Sequence, residues 1–323
     1  MRPLIILLML SIFMNFNCKD GNNGTGPEPP LGYPNYTFIK IAYFFKFIKL
    51  IDMHPAVPEI LQEIKNIEYK KVGEKSLKLD IYHLKTLNQP TPALIFIHGG
   101  GWRTGKRADY LPYLIDFAKA GYVTVTVSYR LQKEAKFPAA VQDIRCAIKW
   151  IKAHANEYFI DPNKIAVIGG SAGGHLSMMA GYAADDPYFD GECEYDSVDC
   201  RVQAVVNLYG PADLTTEYAI SRYETKDFIG KPYTEVPEMY RKASPAFYIS
   251  PDDPPTLIFH GTIDELVPVS QSDSLKVWLD KAGVPNEYHR LKGWPHTMDI
   301  VVSVNQYCQY YMKAFFAAAI PLL

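Results

Sequence analysis

Two kinds of apolar segment alternate along the chain. Short runs that are apolar at nearly every position occur at Ala93–Ile97, Tyr122–Val127, Ile165–Ile168, Ala204–Leu208 and Thr256–Phe259. Continuous runs of that length read as strands buried on both faces. Longer stretches with helical spacing separate them, near Asp109–Ala120, Pro138–Ala155, Gly173–Ala184, Val269–Lys281 and Met298–Ala318. Three strands are of other kinds. One is predicted at Ile67–Lys71. In Leu77–His83, Leu77, Leu79 and Ile81 alternate with Lys78, Asp80 and Tyr82, as a half-exposed antiparallel strand requires. Asn286–Leu291 alternates enough to be an edge strand, and Asp161-Pro162-Asn163 reads as a turn. Strand followed by helix, repeated, predicts an α/β fold with a mostly parallel central sheet flanked by helices. A polar, Tyr- and Pro-rich stretch at 215–254 breaks the alternation. An insertion between two sheet strands near their C-terminal ends belongs over a site, so it is predicted to be a small lid.

The N-terminus follows a different pattern. Met1-Arg2-Pro3 supplies a positive charge, and Leu4 to Met14 is an apolar run too short to span a bilayer. Residues 1–18 are therefore predicted to be a signal peptide, with 19–32 a polar, Gly- and Pro-rich tether. Cys18 at the junction resembles the lipidated cysteine of a bacterial lipoprotein, although Asn15-Phe16-Asn17 departs from the usual residues before it. Export to the periplasm or cell surface is expected, with membrane attachment through a lipid on Cys18. Residues 36–51 are aromatic and basic, with Phe38, Tyr43, Phe44, Phe45 and Phe47 among Lys40, Lys46 and Lys49. They fit a helix at a membrane surface or a helix over the mouth of a site, and the second is taken as the expectation: a lid element at 33–60 within one domain over 33–323.

Composition changes this picture little. A 323-residue chain that is 48% hydrophobic and 21% charged is ordinary for a soluble globular protein. A net charge of −2 gives no argument for a nucleic-acid partner. Among the five cysteines, Cys193 and Cys200 bracket an acidic loop, and in an exported protein a local disulfide is expected there. Cys146 and Cys308 fall in helices and read as small buried apolar residues. No His/Cys cluster has zinc spacing, and no metal is expected.

The candidate chemistry sits just after the strands. Gly169-Gly170-Ser171-Ala172-Gly173 follows Ile165–Ile168, and a Gly-x-Ser-x-Gly string between strand and helix is a position for a nucleophile. Serine needs a base. His296, in Gly293-Trp294-Pro295-His296 after the last strand, can supply one. Asp264, in His260-Gly261-Thr262-Ile263-Asp264, can orient that histidine; Glu265 is the neighbouring competitor. His98-Gly99-Gly100-Gly101-Trp102 follows another strand, and its bare N–H groups suit an oxyanion hole. His98 and His260 end strands and are expected to orient loops.

The order Ser171, Asp264, His296, with the Gly-rich loop upstream, is that of α/β-hydrolases. With Ser128-Tyr129-Arg130-Leu131, Phe137-Pro138-Ala139-Ala140-Val141-Gln142-Asp143, Tyr209-Gly210-Pro211-Ala212-Asp213 and Ala243-Ser244-Pro245, the chain resembles the esterase/lipase group carrying an HGGGW loop, that is, hormone-sensitive-lipase-like carboxylesterases. It is most similar to the carbohydrate acetyl and feruloyl esterase branch. The resemblance runs from about Ile67 to the C-terminus. It implies an α/β-hydrolase fold and a cofactor-independent serine carboxylic-ester hydrolase working through an acyl-enzyme. The triad would be Ser171, His296 and Asp264, and the oxyanion donors the N–H groups of Gly100, Gly101 and Ala172. It further implies short acyl groups, with acetyl or feruloyl esters of polysaccharide as candidate substrates, small or polymeric. Trp294 beside His296 departs from the family's small residues, and Trp294 and Trp102 are expected to shape the substrate pocket. An exopeptidase or formamidase is the alternative on the same triad. A binding protein on this scaffold is disfavoured because all three residues are present. Nothing in the sequence indicates the oligomeric state.

Overall fold

The computed structural model describes residues 26–322. The expected signal peptide and Cys18 lie outside the described residues. An eight-stranded sheet has the order β1-β2-β4-β3-β5-β6-β7-β8, with β1 Leu61–Val72, β2 Lys75–Leu84, β3 Thr91–Ile97, β4 Val123–Val127, β5 Ile160–Gly170, β6 Ala204–Leu208, β7 Thr256–Gly261 and β8 Asn286–Leu291. The β1–β2 and β2–β4 pairs are antiparallel and every pair from β4 to β8 is parallel. β8 is an edge strand, as its alternation predicts.

Helices cover both faces, which is why the central strands are continuously apolar. Along β3, Ala93, Ile95 and Ile97 enter one core layer, while Leu94 and Phe96 enter the other. The first layer contains α3 (Ala139–Ala153) and α4 (Ala172–Tyr182); the second contains α2 (Leu111–Lys119) and α9 (Val302–Ala319), whose Phe117 and Phe316 meet edge to face. Pleating sends successive residues to opposite faces, so a strand covered twice must be apolar at every position.

Between β6 and β7 the predicted insertion forms three short helices, α5 (Glu217–Ser221), α6 (Tyr223–Ile229) and α7 (Pro237–Lys242). α8 (Ser270–Ala282) ends at Gly283, whose left-handed φ of 77° closes the helix without a Cβ clash. α1 (Tyr36–Phe44) starts at Asn35, whose side chain accepts from the N–H groups of Thr37 and Phe38.

Four expectations are corrected. The turn at Asp161-Pro162-Asn163 lies inside β5. The Asp161 side chain accepts from Asn163 N–H, and the strand carries the kink as a register shift between its pairings with Thr91 and Ala93. The tether does not extend to residue 32. Pro27 and Pro30 carbonyls accept from Tyr311 Oη and Trp294 Nε1, and Tyr33 N–H reaches Gly293 O, so 27–33 is laid on the domain. The C-terminal helix starts at Val302, after a 3₁₀ turn over Met298–Ile300.

The fourth correction is the disulfide, which joins Cys193 to Cys146, with Cα atoms 5.7 Å apart; Cys200 is a free, buried thiol donating to Ala184 O. Proximity along the chain suggested Cys200, but packing decides the pair. The acidic loop is drawn onto the basic face of α3, where Arg145 binds Asp190 at 2.8 Å and Lys152 binds Asp199 at 2.7 Å. That docking brings Cys193 over Cys146. Cys308 is buried without a disulfide, as expected.

Candidate active site

Ser171 joins β5 to α4 with φ 56° and ψ −123°, a conformation strained for a residue with a Cβ. Both of its peptide groups are held: Ser171 N–H donates to Leu208 O, and its carbonyl accepts from His175 N–H. The flanking glycines are required by close approach. A Cβ on Gly169 would lie 2.3 Å from the Gly173 carbonyl carbon, and one on Gly173 would lie 2.0 Å from Ile97 O. The second contact sets the turn against the end of β3, where the HGGGW loop begins. Ser171, Gly100, Gly101 and Ala172 consequently line one cleft of ≈ 620 Å³.

His98 is buried, stacks on Tyr129 with ring centroids 4.3 Å apart, and points Nδ1 at Gly99 O. Tyr129 Oη donates to His98 O at 2.9 Å. Burial lowers the His98 pKa, so a neutral ring braces the loop. Trp102 reaches the cleft, but its ring lies flat on Phe228, 4.4 Å between centroids, and its indole N–H donates to His175 Nδ1 at 3.3 Å.

Adjacent parallel strands end at the same side of a sheet, so the loops after β7 and β8 emerge together. Asp264 comes from the first and His296 from the second, and His296 Nδ1 donates to Asp264 Oδ2 at 2.6 Å. The other carboxylate oxygen accepts from the N–H groups of Leu266 (2.9 Å) and Val267 (2.8 Å). Burial pulls the Asp264 pKa upward, but hydrogen bonds from His260 and His296, the His296 charge and the backbone outweigh it and hold the carboxyl at about 2. Glu265, the competitor, is exposed. With Nδ1 committed to Asp264, Nε2 is the ring nitrogen left to take a proton, and His296 lines the same cleft as Ser171. The arrangement can take a proton at Nε2, attack at Oγ and hold an oxyanion on backbone N–H groups.

Several expectations about the cleft wall are revised. Trp294 does not line it; the ring is buried against Tyr33, because its N–H finds an acceptor in Pro30 O. From 33–60 only Ile51 and Met53 reach the rim, whereas the insertion contributes Tyr218, Arg222, Tyr223 and Glu224. The sequence pattern gave Tyr209 and Asp299 no site role, and it gave His260 only that of orienting a loop. His260, fully buried, lies 3.3 Å from Asp264 Oδ2 and also contacts Val267 O and Ser272 Oγ. Tyr209 packs edge-on against His296, 4.7 Å between centroids, and its hydroxyl donates to Asp299. Burial raises the Asp299 pKa although Tyr209 and Tyr113 donate to it. Asp299 lies three residues past His296, a spacing that could have flagged it.

A family model described as BD-FAE matches residues 79–279. Esterase LipC of Mycobacterium tuberculosis is 36% identical over 203 residues, covering 61% of this chain and 50% of that protein. The chain spans 50–58% of the lengths of three mycobacterial ester hydrolases that it matches. Among solved structures, a truncated carbohydrate esterase from gut microbiota superposes with a TM-score of 0.73 at 28% identity, covering 82% of this chain and 99% of that one. Esterase 2 of Thermogutta terrifontis, phosphoramylated by tabun, gives 0.70 at 26% identity, covering 84% and 99%.

Proposed function

The chain belongs to the BD-FAE family of α/β-hydrolases, and from that premise we propose that it is a serine carboxylic-ester hydrolase for short acyl groups, with acetyl or feruloyl esters of polysaccharide as its substrates. The observation that carries this reading is the Asp264–His296 hydrogen bond opening on a cleft that also holds Ser171 on its strained turn. Similarity to a carbohydrate esterase supports the sugar-ester assignment.

In this mechanism Ser171 Oγ attacks the ester carbonyl while His296 Nε2 takes its proton. Asp264 fixes the imidazole tautomer and stabilises the imidazolium. The N–H groups of Gly100, Gly101 and Ala172 hold the tetrahedral oxyanion. His296 then protonates the leaving alcohol, and water, activated by the same nitrogen, releases the acid from the acyl-enzyme. The insertion at 215–254 acts as a lid, and its Tyr218 and Tyr223 line the cleft. The protein works outside the cytoplasm, a reading the Cys146–Cys193 bond supports.

Hydrolysis of p-nitrophenyl esters from acetate to decanoate, by this protein and by Ser171→Ala, tests the reading. The expected rate peaks at acetate or butyrate and falls by at least about 10⁴-fold in the variant. Turnover that survives in Ser171→Ala would overturn it. Acetylated xylan and methyl ferulate then separate the two acyl groups.

A further inference from the structure

The N-terminal helix faces outward where a lid would face inward. Among the described residues, fifteen large hydrophobic side chains are exposed, and seven of them lie in 36–50: Tyr36, Phe38, Tyr43, Phe44, Phe45, Phe47 and Leu50. Phe44 and Phe47 are each 78% exposed. α1 fully buries only Ala42, with Ile39 partly buried against the core, and Ile48 is buried just beyond it. None of the seven lines the cleft. Soluble proteins scatter such residues singly; a contiguous aromatic patch marks a surface that something covers.

The chemistry of the patch selects what covers it. Lys40, Lys46 and Lys49 are all exposed among the aromatic rings, and 36–50 holds no acidic residue, Asp52 being the first one after it. Aromatic rings interleaved with lysines suit the boundary of an anionic lipid surface: the rings enter the acyl boundary and the ammonium groups stay at the phosphates. A protein partner covering the patch would have to meet three lysines with acidic side chains. A second copy would set the same three lysines against their like, with no acidic residue in 36–50 to offset them.

The segment is also tied to the site. Leu50 pairs with Val301, Ile51 N–H donates to Ile300 O, and Val302 N–H donates to Lys49 O, just past His296. The next residues, Ile51 and Met53, form the cleft rim. A surface docked on 36–50 therefore sits beside the mouth. We propose that residues 36–50 dock the protein on an anionic lipid surface through Phe44, Phe45 and Phe47, with Lys40, Lys46 and Lys49 at the headgroups. This inference does not depend on the ester-hydrolase reading.

Full-length Phe44→Trp and Phe47→Trp proteins, mixed with vesicles of phosphatidylcholine alone or with phosphatidylglycerol, test it by the emission of the added tryptophan and its quenching by brominated lipid. The expected result is quenching at both positions with the anionic vesicles, at on the order of tenfold lower lipid than with the neutral ones. The preference is lost in Lys40→Glu/Lys46→Glu/Lys49→Glu. Far-UV circular dichroism and urea midpoints without vesicles, unchanged in these variants, report that they fold. Added tryptophans that stay unquenched while the protein sediments with vesicles would put the contact elsewhere and overturn the proposal. So would a dimer in lipid-free sedimentation that Phe44→Asp/Phe47→Asp dissociates, which would make a second copy the occupant.

Discussion

Asp264 receives four hydrogen-bond or charge contacts, from His296, His260 and two backbone N–H groups. Its carboxyl is held at about 2, below the ordinary 3.8. A depressed carboxylate pKa stabilises the fold fully above pH 3.8, and that stabilisation is lost as the pH falls through about 2. The shift corresponds to about 2 kcal/mol. Asp264→Asn is expected to lower kcat by about 10⁴-fold through the wrong imidazole tautomer. It should also flatten the acid limb of urea-unfolding stability between pH 4 and 2; an unchanged limb would refute the assignment. His175 shows the opposite case. It is wholly buried, accepts from Trp102 at Nδ1 and donates from Nε2 to Ala243 O, and burial lowers its pKa to about 4. The unfolded imidazole takes a proton below 6.5 and the folded one does not. Stability therefore falls as the pH drops from 6.5 towards 4, by about 3 kcal/mol. Urea midpoints at pH 7, 5.5 and 4 should show that part of the loss missing in His175→Gln.

At the scale of elements, two motifs of the sequence become a single structural device. Arg130, from Ser128–Leu131, makes three hydrogen bonds to Asp143, from Phe137–Asp143, one from its backbone N–H and two from its guanidinium, and Lys70 of β1 adds a fourth at 2.9 Å. The Asp143 side chain is fully buried. The cluster ties β1, the loop after β4 and α3 together. Asp143→Ala leaves the buried Lys70 and the half-buried Arg130 without a carboxylate and should cost about 3 kcal/mol in urea unfolding. A change below about 1 kcal/mol would mean that water replaces the carboxylate. The helix and strand order was legible because each central strand is a short uninterrupted apolar run. The turn expected at Asp161–Asn163 was misread because Asp-Pro-Asn carries turn chemistry that the parallel ladder absorbs as an irregularity.

For the whole molecule, the disulfide is the feature with the widest reach. It closes a separation of 47 residues and fastens the acidic loop to α3. Cys193→Ser should lower unfolding stability by about 2–5 kcal/mol, whereas Cys200→Ser should leave the bond intact. Alkylation before and after reduction, read by mass, distinguishes this pairing from Cys193–Cys200. By itself the sequence determined the α/β class and the order of strands along the chain and singled out candidate positions for chemistry, since these follow from local periodicity and from residues that end strands. It also ranked Asp264 above Glu265, and the structure buries the first and exposes the second. Only the tertiary structure decided what meets across the chain. It paired Cys193 with Cys146, gave Asp264 a second histidine, set Tyr209 and Asp299 behind His296, took Trp294 out of the cleft and turned the aromatic residues of 36–50 to solvent. Those outcomes depend on which surfaces pack together over long sequence separations, and local pattern carries no term for that.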